Sequence, residues 1–583
     1  MKKILSVEFL FLIIIFLFAV FSTNGKTIAW GLLPLFYGFN ISTKNSLPKL
    51  SLQSLIIFLG LFTLLFLINF LAVYSFDNKE LKVPHPDFHY YLKVASFFNQ
   101  TGQENIYTAK NLLINKLNFQ TPYRFFDTWL LALLIRILPF TNLQVLQLFY
   151  FPTLYFLVVY SLYKNINIKS INLKFVVVLG FIFLFGDYFT SIIINKNQIS
   201  EICVTSYPKL AIFFTLFIYF FSNQIKNNSS KHSSILFLAL MPILIQTAFP
   251  LYLFIYAYII FYFKYFLENK KILFSIIIST LYFTFFYVYN FYLSKEVFEI
   301  GQFQLVKTSY EYFYRILSIS YNLFKTKLFL FTIITLILFF CSNKSERKNI
   351  IFLNLYSVLI VFSGLLVYAF FPSSPNSYQL MTNFIFPVII VMQFFIWINT
   401  LNNINSKKVY LNYTFYFGFT LLGIYNQYNS MGFFNVKDVF TNKNDKNFVL
   451  KTCSKLKKVK NKIGLTYWSK ENYKRNLSEH FDQYGTNFLI KLGAEYDIVC
   501  LSNYNDNSET YSNKASKHNR MIDIFRRLEK NTNKNIEFNF YNKFHFQYLF
   551  SDLSKNSLPS FLKKDIISFD FDSKSKIYCY ILK

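Results

Sequence analysis

The chain has 583 residues, of which 54% are hydrophobic and 15% are charged, and its formal net charge is +30. A mean hydropathy of +0.34 and repeated apolar runs exclude an ordinary soluble protein and predict a polytopic α-helical membrane protein with about 11 to 13 spans. The net charge does not indicate nucleic-acid binding, because Lys and Arg lie mainly in short loops between the runs, where they orient a membrane protein.

The apolar runs are predicted to be transmembrane helices, because a helix of about 20 residues crosses about 30 Å of hydrocarbon. The first run follows Met1-Lys2-Lys3, and no small-residue cleavage site comes after it. It is therefore interpreted as a retained span or anchor and not as a signal peptide. The clearest runs are residues 4–21, 52–76, 143–163, 272–293 and 350–371.

Three other apolar segments are less regular. Residues 28–39 are short, and they either cross the membrane or form a re-entrant or interfacial segment. Residues 126–140 contain Asp127 and Arg136, and we expect an interfacial helix there, packed under the preceding loop. Pro250 is expected to divide residues 235–266 into two passes, because proline interrupts a helix.

The placement of charge predicts the orientation and the functional face. Short loops with Lys or Arg are assigned to the cytoplasm, and they are residues 2–3, 44–49, 164–174, 226–231, 270–271, 344–348 and 407–408. Ten of the 13 acidic residues before Asn435 then lie outside. Carboxylates are costly near a bilayer, so a site is expected where they collect. Five of them lie in the first external loop, residues 77–142: Asp77, Glu80, Asp87, Glu104 and Asp127.

Asp87 is the strongest catalytic candidate, within Pro84-His85-Pro86-Asp87-Phe88-His89-Tyr90-Tyr91. A carboxylate among His and Tyr side chains can act as a general base or hold a divalent cation against a phosphate. Tyr90 and Tyr91 suit the headgroup level and can stack on a sugar ring. His85 and His89 share one face if the stretch is helical. The alternative is that this stretch has no chemical role and is the first turn of an interfacial helix, with its polar side chains in water.

Other external residues are candidate substrate contacts. Arg124 is suited to clamp a donor phosphate, or it pairs with Asp127 at the interface. Tyr378 and Gln379, in a loop with two prolines, either bind sugar hydroxyls or belong to a tight connector. The basic residues before position 328 either attract an anionic lipid carrier or snorkel to the interface; they are Lys307, Arg315, Lys325 and Lys327.

Beyond position 434 the composition changes to a polar tail with 27 basic and 16 acidic residues. Residues 435–583 are long enough for one small domain. The alternation of spans places this domain on the extracytoplasmic side, although its excess of Lys would suit the cytoplasm equally well. Strands are predicted at 462–468, 496–501 and 576–582, and helices at 481–492 and 522–528, which favours an α/β domain. The five cysteines have no paired metal spacing, so no redox or zinc role is assigned.

The order of these features resembles the first external loop of GT-C membrane glycosyltransferases, which include protein mannosyltransferases, oligosaccharyltransferases and lipid A aminoarabinose transferases. The resemblance rests on Asp87 with Tyr90-Tyr91, a stretch ending near Gly102, Thr121-Pro122-Tyr123-Arg124 and an apolar helix at 129–138. It covers about the first 210 residues. The chain departs from the family pattern because it lacks an Asp-Glu or Asp-Asp pair at position 87 and has one or two extra spans before it.

The resemblance implies a polyprenyl-phosphate-linked sugar as donor, no soluble nucleotide, and a lipid, glycan or protein as acceptor. It gives Asp87 the first acidic role, Asp187 or Glu201 the second acidic position, and Tyr123 and Arg124 a place beside the substrate. A divalent cation stays open as cofactor. The expected location is the cytoplasmic membrane of a bacterium, with the site on the extracytoplasmic side.

Two other classes of function remain open. A polysaccharide polymerase, or a flippase or transporter of lipid-linked sugars, would be equally polytopic and aromatic, but a transporter is expected to show internal pseudo-repeats, and no such symmetry is visible in the sequence. A non-enzymatic membrane scaffold would tolerate the replacement of Asp87 by Asn.

Overall fold

The described part of the chain is mostly helical, with a small sheet near the C-terminus. The computed structural model describes residues 7–42, 52–75, 80–81, 86–102, 104, 125–166, 174, 177, 211–226, 231–245, 248–294, 308–323, 329–370, 386–404, 463–467, 499–502, 546–572 and 577–583.

The helices of the N-terminal region form one bundle around a shared apolar core. The first group is α1 Val7–Ser22, α2 Leu32–Ser42 with a preceding 3-10 turn Ile28–Gly31, α3 Leu52–Val73, α4 Pro86–Thr101, α5 Phe125–Ile137 and α6 Asn142–Asn165. The second group is α7 Ala211–Lys226, α8 Ile235–Leu244, α9 Leu251–Phe261, α10 Phe263–Glu268, α11 Lys270–Ser294, α12 Ser309–Leu323, α13 Phe329–Cys341, α14 Lys344–Phe370 and α15 Phe386–Ile404. A two-stranded ribbon, β1 Tyr74–Ser75 and β2 Glu80–Leu81, follows α3.

These helices agree with the apolar pattern of the sequence. Each of the five clearest runs is helical, in α1, α3, α6, α11 and α14. The segment 235–266 is divided as expected, because α8 ends at Leu244 and α9 begins directly after Pro250. The segment 126–140 is helical as α5, and α4 ends next to Gly102. The helical part of these predictions is confirmed.

The short segment 28–39 forms the second arm of a helical hairpin with α1. Phe9 packs against Phe36 and Phe39 with ring centroids 5.1 and 5.5 Å apart, and Phe16 packs against Trp30 at 5.8 Å. Residues late in α2 therefore meet residues early in α1, so the two arms are antiparallel. The arm Ile28–Ser42 has about 22 Å of length if helical throughout.

The described helix ends in the first part of the bundle fall into two groups, which we call the loop end and the basic end. The hairpin turn at residues 23–27 marks the loop end: Tyr282 of α11 donates a hydrogen bond to Thr27 O at 2.9 Å. Further along α2, a Cβ on Gly38 would meet Ser275 of α11 at 3.1 Å. Lys270 and Lys271, at the start of α11, therefore lie at the opposite, basic end.

The other helices of this part also run alternately from one end of the bundle to the other. Asn69 of α3 donates to Gln147 O of α6 near the loop end, and Ser222 of α7 donates to Asn165 Oδ1 at 3.2 Å near the basic end. Gln224 donates to Lys231 O at 3.0 Å, so the connection from α7 to α8 also lies at the basic end. The basic connections at Lys164, Lys226–Lys231 and Lys270–Lys271 thus share one end of the bundle.

Two described helices, Asn142–Asn165 and Glu346–Val367, are long and apolar enough to cross a membrane, and six more apolar helices are shorter. Large apolar side chains face outward from several of them. Phe285 of α11 is 61% exposed and Val358 of α14 is 60% exposed. Extended exposed apolar surface of this kind is typical of a membrane contact or another binding surface.

The C-terminal sheet has the strand order β4-β3-β5-β7-β6. Its strands are β3 Ile463–Tyr467, β4 Val499–Ser502, β5 Tyr548–Ser551, β6 Ile566–Asp572 and β7 Ile577–Leu582, with a short helix α16 Ser560–Lys563 before β6. β3 is parallel to β4 and β5, whereas β7 is antiparallel to β5 and β6. Three of the strands were predicted, and the predicted helices at 481–492 and 522–528 lie outside the described residues.

Gly464 in β3 provides a test of the sheet packing. A Cβ at this position would overlap the ring of Tyr548 on β5, the neighbouring strand. We expect Gly464→Ala to destabilise the sheet by about 1 to 3 kcal/mol, because overpacking forces backbone or rotamer shifts. Limited proteolysis of the full chain, read at the C-terminal region, measures this. Gly60→Ala is the control, since nothing lies within 4 Å of the Cβ position there, and equal protease sensitivity of the two variants would contradict the packing.

Candidate functional site

The predicted catalytic residue Asp87 lies on the first turn of α4, which begins at Pro86. Proline is favourable at the start of a helix, because its missing N–H has no partner there and its φ is already helical. Asp87, His89, Tyr90 and Tyr91 therefore belong to one helix. Tyr91 is buried, so its ring packs in the bundle core.

The other predicted substrate residues are not brought together by the described structure. His85, Tyr123, Arg124, Asp187, Glu201, Tyr378 and Gln379 all lie outside the described residues. Their roles stay predictions. The helix from Pro86 meets the condition set for His89, but the shared face of His85 and His89 stays untested because His85 is among these seven.

A buried carboxyl group lies just beyond the end of α4. Glu104 is fully buried, and its Oε1 accepts hydrogen bonds from Thr27 Oγ1 and from the Trp129 indole N–H, the latter at 2.7 Å. Trp129 is itself buried on α5 and stacks on Phe125 at 5.6 Å. One carboxyl thus joins three parts of the chain: the hairpin turn, the end of α4 and α5.

The hairpin turn is shaped to present Thr27. Asn24 and Gly25 have φ of 52° and 78°, and the Trp30 indole donates to Gly25 O at 2.7 Å. Thr27 caps the following 3-10 turn by accepting from Ala29 N at 3.1 Å. Its hydroxyl has one hydrogen to donate, and this hydrogen goes to Glu104. The Thr27 hydroxyl is therefore satisfied on both sides.

Gly102 lets the backbone pass close to the hairpin turn, so that Glu104 can reach Thr27. Its φ is +69°, and a Cβ there would lie 2.5 Å from Ser22 O in the hairpin. Only glycine adopts this conformation without cost and leaves the space free. The sequence therefore indicated that a helix ends near Gly102, but it did not indicate that Gly102 packs against Ser22 of the hairpin.

Burial raises the pKa of Glu104 to about 8, against the opposing effect of the hydrogen bonds from Thr27 and Trp129. Desolvation penalises the charged form of a carboxyl group, and it is the largest cause of this shift. Glu104 is therefore largely protonated at neutral pH and acts as a neutral hydrogen-bonding group. Sequence reasoning counted Glu104 among five loop acids but gave it no role.

A second buried carboxyl group, Asp127, lies on the first turn of α5. Its Oδ1 accepts from Tyr150 OH at 2.8 Å. Tyr150 ends a π-helical turn, Val145–Tyr150, within α6, and such turns are frequent at functional sites. Nearby, Asn142 donates to Ser96 Oγ of α4 at 3.0 Å. The loop end thus collects Glu104, Asp127 and several buried polar groups between α4, α5 and α6.

We expect Tyr150→Phe to destabilise the chain by about 1 to 3 kcal/mol, because the hydrogen bond to a buried carboxyl oxygen is lost. Thermal unfolding in detergent measures this change. Asp127→Asn is the matched comparison and should cost less, since its side chain still offers an oxygen to Tyr150. Equal stability of Tyr150→Phe and the unmodified chain would show that the hydrogen bond carries no energy.

A second polar cluster, which sequence reasoning did not identify, lies at the basic end. His232 Nδ1 is 3.0 Å from Tyr258 OH, and the ring of His232 lies 4.4 and 4.6 Å from the rings of Tyr262 and Tyr265. Burial, and then the charge of Lys231, lower the pKa of His232. The imidazole is therefore neutral at pH 7 and joins α9 and α10 to the connection before α8.

The described residues do not add a metal site. Among them, no group of three or more His, Cys, Asp or Glu side chains is arranged to hold a metal ion. Asp87 and His89 are known only as backbone positions on α4. A divalent cation beside Asp87 stays a hypothesis from the sequence.

No protein-family model matches the chain, and no curated protein matches it. Membership of the GT-C glycosyltransferases therefore stays a prediction from the loop order and residues of the sequence.

Proposed function

We propose that this chain is an integral-membrane glycosyltransferase that transfers a sugar from a polyprenyl-phosphate donor to a lipid, glycan or protein acceptor. The observation that carries the proposal is Asp87 at the first turn of α4, a helix whose other end is held at the loop end by Gly102 and Glu104. The proposed site faces the extracytoplasmic side of a bacterial cytoplasmic membrane.

The exposed apolar side chains support membrane embedding. Two helices have the length and composition of spans, and outward-facing apolar residues continue along α1, α3, α9, α11, α13 and α14. In water such surface would drive aggregation, whereas in a bilayer it contacts lipid chains at little cost. The proposal assigns the shorter apolar helices to the same bilayer, as part of a bundle of about 11 to 13 spans.

The two ends of the bundle support the orientation. Helix contacts bring the Lys-bearing connections together at the basic end, and they bring the acidic residues Glu104 and Asp127 together at the loop end. The positive-inside rule assigns the basic end to the cytoplasm. The loop end then faces outward, where lipid-linked sugars are used without a soluble nucleotide.

The position of the C-terminal strands is consistent with this arrangement. Strand β4 contacts α4, the helix that carries Asp87. We assign residues 435–583 to the extracytoplasmic side for that reason, and propose that this domain helps to select the acceptor beside the site.

The proposed reaction is a single displacement at the anomeric carbon of the donor sugar. Asp87 removes the proton from the acceptor hydroxyl or amine while the acceptor atom forms the new bond to the sugar. The bond between the sugar and the phosphate oxygen breaks, and the polyprenyl phosphate leaves with that electron pair. Arg124 is proposed to stabilise the negative charge on the departing phosphate.

The test compares a deletion strain complemented with the unmodified chain or with Asp87→Asn, at equal protein level, by mass spectrometry of lipid-linked sugars and surface glycans. Accumulated donor lipid and a missing sugar in the Asn strain are expected. Full rescue by Asp87→Asn would overturn the catalytic assignment and favour a flippase or a scaffold. A block in polymer length with normal sugar content would favour a polysaccharide polymerase.

A further inference from the structure

Helix α12, Ser309–Leu323, has an exposed apolar face that no other described element covers. Its aromatic and apolar residues recur at intervals of three and four, which places them on one side of a helix. We call this set the outer stripe: Tyr310, Phe313, Tyr314, Leu317 and Tyr321. Tyr310 is 80% exposed and the others are between 62% and 69% exposed.

The opposite side of α12 is attached to the bundle. Ile316 is buried, and Tyr312 OH donates to Leu366 O of α14 at 2.8 Å. Leu366 lies near the C-terminal end of α14, opposite the Lys344–Lys348 end. The outer stripe is therefore held beside the end of α14 away from Lys344–Lys348, which the proposed orientation assigns to the loop end, and next to the exposed apolar surface of α14 that includes Phe352, Val358 and Phe362.

The polar residues of α12 form a third strip between these two faces. Glu311 is exposed, while Arg315 and Ser318 are partly buried. The Nε of Arg315 is buried and has no hydrogen-bond acceptor among the described residues. Glu311 and Arg315 make this helix of 15 residues too polar to be assigned as a span, because charged side chains are costly within the bilayer.

Three properties of the outer stripe match the boundary between lipid headgroups and acyl chains. Three of its five members are tyrosines, whose rings are apolar and whose hydroxyl groups are polar, as at membrane interfaces. The stripe lies beside an apolar surface that the proposed function places in lipid. Arg315 directly follows Tyr314 on the helix, and a positive charge at the headgroup level is attracted to lipid phosphates.

We propose that α12 is an interfacial helix whose outer stripe is immersed in the headgroup and acyl boundary of the outer leaflet. This inference rests on the membrane embedding in the proposed function, but not on the transfer reaction. Such a helix fixes the depth of the loop end of α14 relative to the bilayer surface.

The experiment places one added tryptophan at each of three positions in the full chain and reconstitutes it in vesicles. Tyr314→Trp reports the outer stripe, Ser318→Trp reports the polar strip, and Val358→Trp reports the exposed side of α14. The parent protein has four tryptophans, so its fluorescence is subtracted from that of each variant. The remaining fluorescence is quenched in separate experiments by lipids brominated near the headgroup, by lipids brominated deep in the acyl chain, and by acrylamide in the water.

We expect lipids brominated near the headgroup to quench the added fluorescence of Tyr314→Trp at least about twofold more than that of Ser318→Trp. Acrylamide should instead quench Ser318→Trp more strongly. The reason is that only the apolar face of an interfacial helix is immersed in lipid. Val358→Trp should be quenched best by deep bromines. Leu317→Trp repeats the stripe measurement if Tyr314→Trp fails to fold.

Each failure has a distinct pattern. Equal quenching of Tyr314→Trp and Ser318→Trp, with Val358→Trp quenched in the bilayer, would overturn the interfacial helix and leave the membrane proposal standing. A stripe tryptophan shielded from both lipid and acrylamide would show that protein covers the stripe, and would also overturn it. Val358→Trp that no brominated lipid quenches would overturn the membrane embedding itself.

Discussion

Replacing Asp87 with asparagine is expected to slow sugar transfer about 100- to 10,000-fold, the range that one positioned general base contributes. Asparagine keeps the size of the side chain and its place on the first turn of α4, but it cannot accept the proton of the acceptor. Transfer of a labelled sugar from a polyprenyl-phosphate donor, by purified chain in vesicles, measures the rate.

The control for Asp87→Asn is Glu80→Gln, which removes another carboxylate from the same loop, in strand β2. We expect an unchanged rate for this variant. Similar losses in both variants would mean that the negative charge of the loop, and not a base at position 87, supports the activity. An unchanged rate in Asp87→Asn would exclude Asp87 as the base.

Replacing Glu104 with alanine is expected to destabilise the chain by about 3 to 5 kcal/mol. The change leaves two buried donors, the Thr27 hydroxyl and the Trp129 indole N–H, without their acceptor, and each unsatisfied donor costs about 1 to 3 kcal/mol. It also leaves a cavity where α4, α5 and the hairpin meet. Thermal unfolding in detergent, followed by circular dichroism, measures the loss.

Glu104→Gln is the isosteric control, because its amide oxygen still accepts from Thr27 and Trp129. Since the folded-state pKa of Glu104 is raised from 4.5 to about 8, the unfolded chain releases this proton at lower pH than the folded chain does. The stability from Glu104 is therefore full below about pH 4.5 and falls as pH rises toward 8. The free energy of unfolding is expected to fall by on the order of 1 kcal/mol per pH unit in this range.

Between pH 5 and pH 8 the unmodified chain should therefore lose stability relative to Glu104→Gln. Glutamine does not titrate, so the difference between the two unfolding temperatures isolates the carboxyl group. A difference that stays constant over this range would show that Glu104 is charged in the folded chain. Equal stability of Glu104→Ala and Glu104→Gln would show that its hydrogen bonds carry no energy.

The helices were predictable where a local pattern is sufficient. Runs of about 20 apolar residues have few alternatives to a helix when their backbone groups must bond within the segment, and α3, α11 and α14 follow their runs closely. Pro250 and Gly102 end or separate helices through their own backbone chemistry. The strands β3, β4 and β7 were visible because each is a short apolar run between polar segments.

The strands β5 and β6 were not predicted. Within β6, the residues Ile567, Phe569 and Phe571 alternate with Ser568 and Asp570, a pattern with the period of a strand. The strand lies at the edge of the sheet and its apolar residues are exposed. Their pairing with β7 depends on a partner that is separate in sequence, which local periodicity does not name.

The sequence proposes a location for the candidate site but does not rank its members. Counting carboxylates identified the loop and Asp87, because charge near a bilayer is rare enough to be informative. It gave no means to rank Glu104 above Asp77 or Glu80, since a side chain's burial depends on what packs around it. Glu104 is 77 residues from Thr27 and 25 residues from Trp129 in the sequence, and no local pattern relates the three residues.

The sequence by itself therefore determined the helical class, the basic and acidic connections, the strands β3, β4 and β7, and Asp87 as the candidate base, because each depends on composition or on neighbours along the chain. Only the tertiary structure decided that the arm Ile28–Ser42 pairs with α1, and that Glu104 is buried with a raised pKa. These properties arise from contacts between distant segments, where desolvation and packing are set by the surrounding residues.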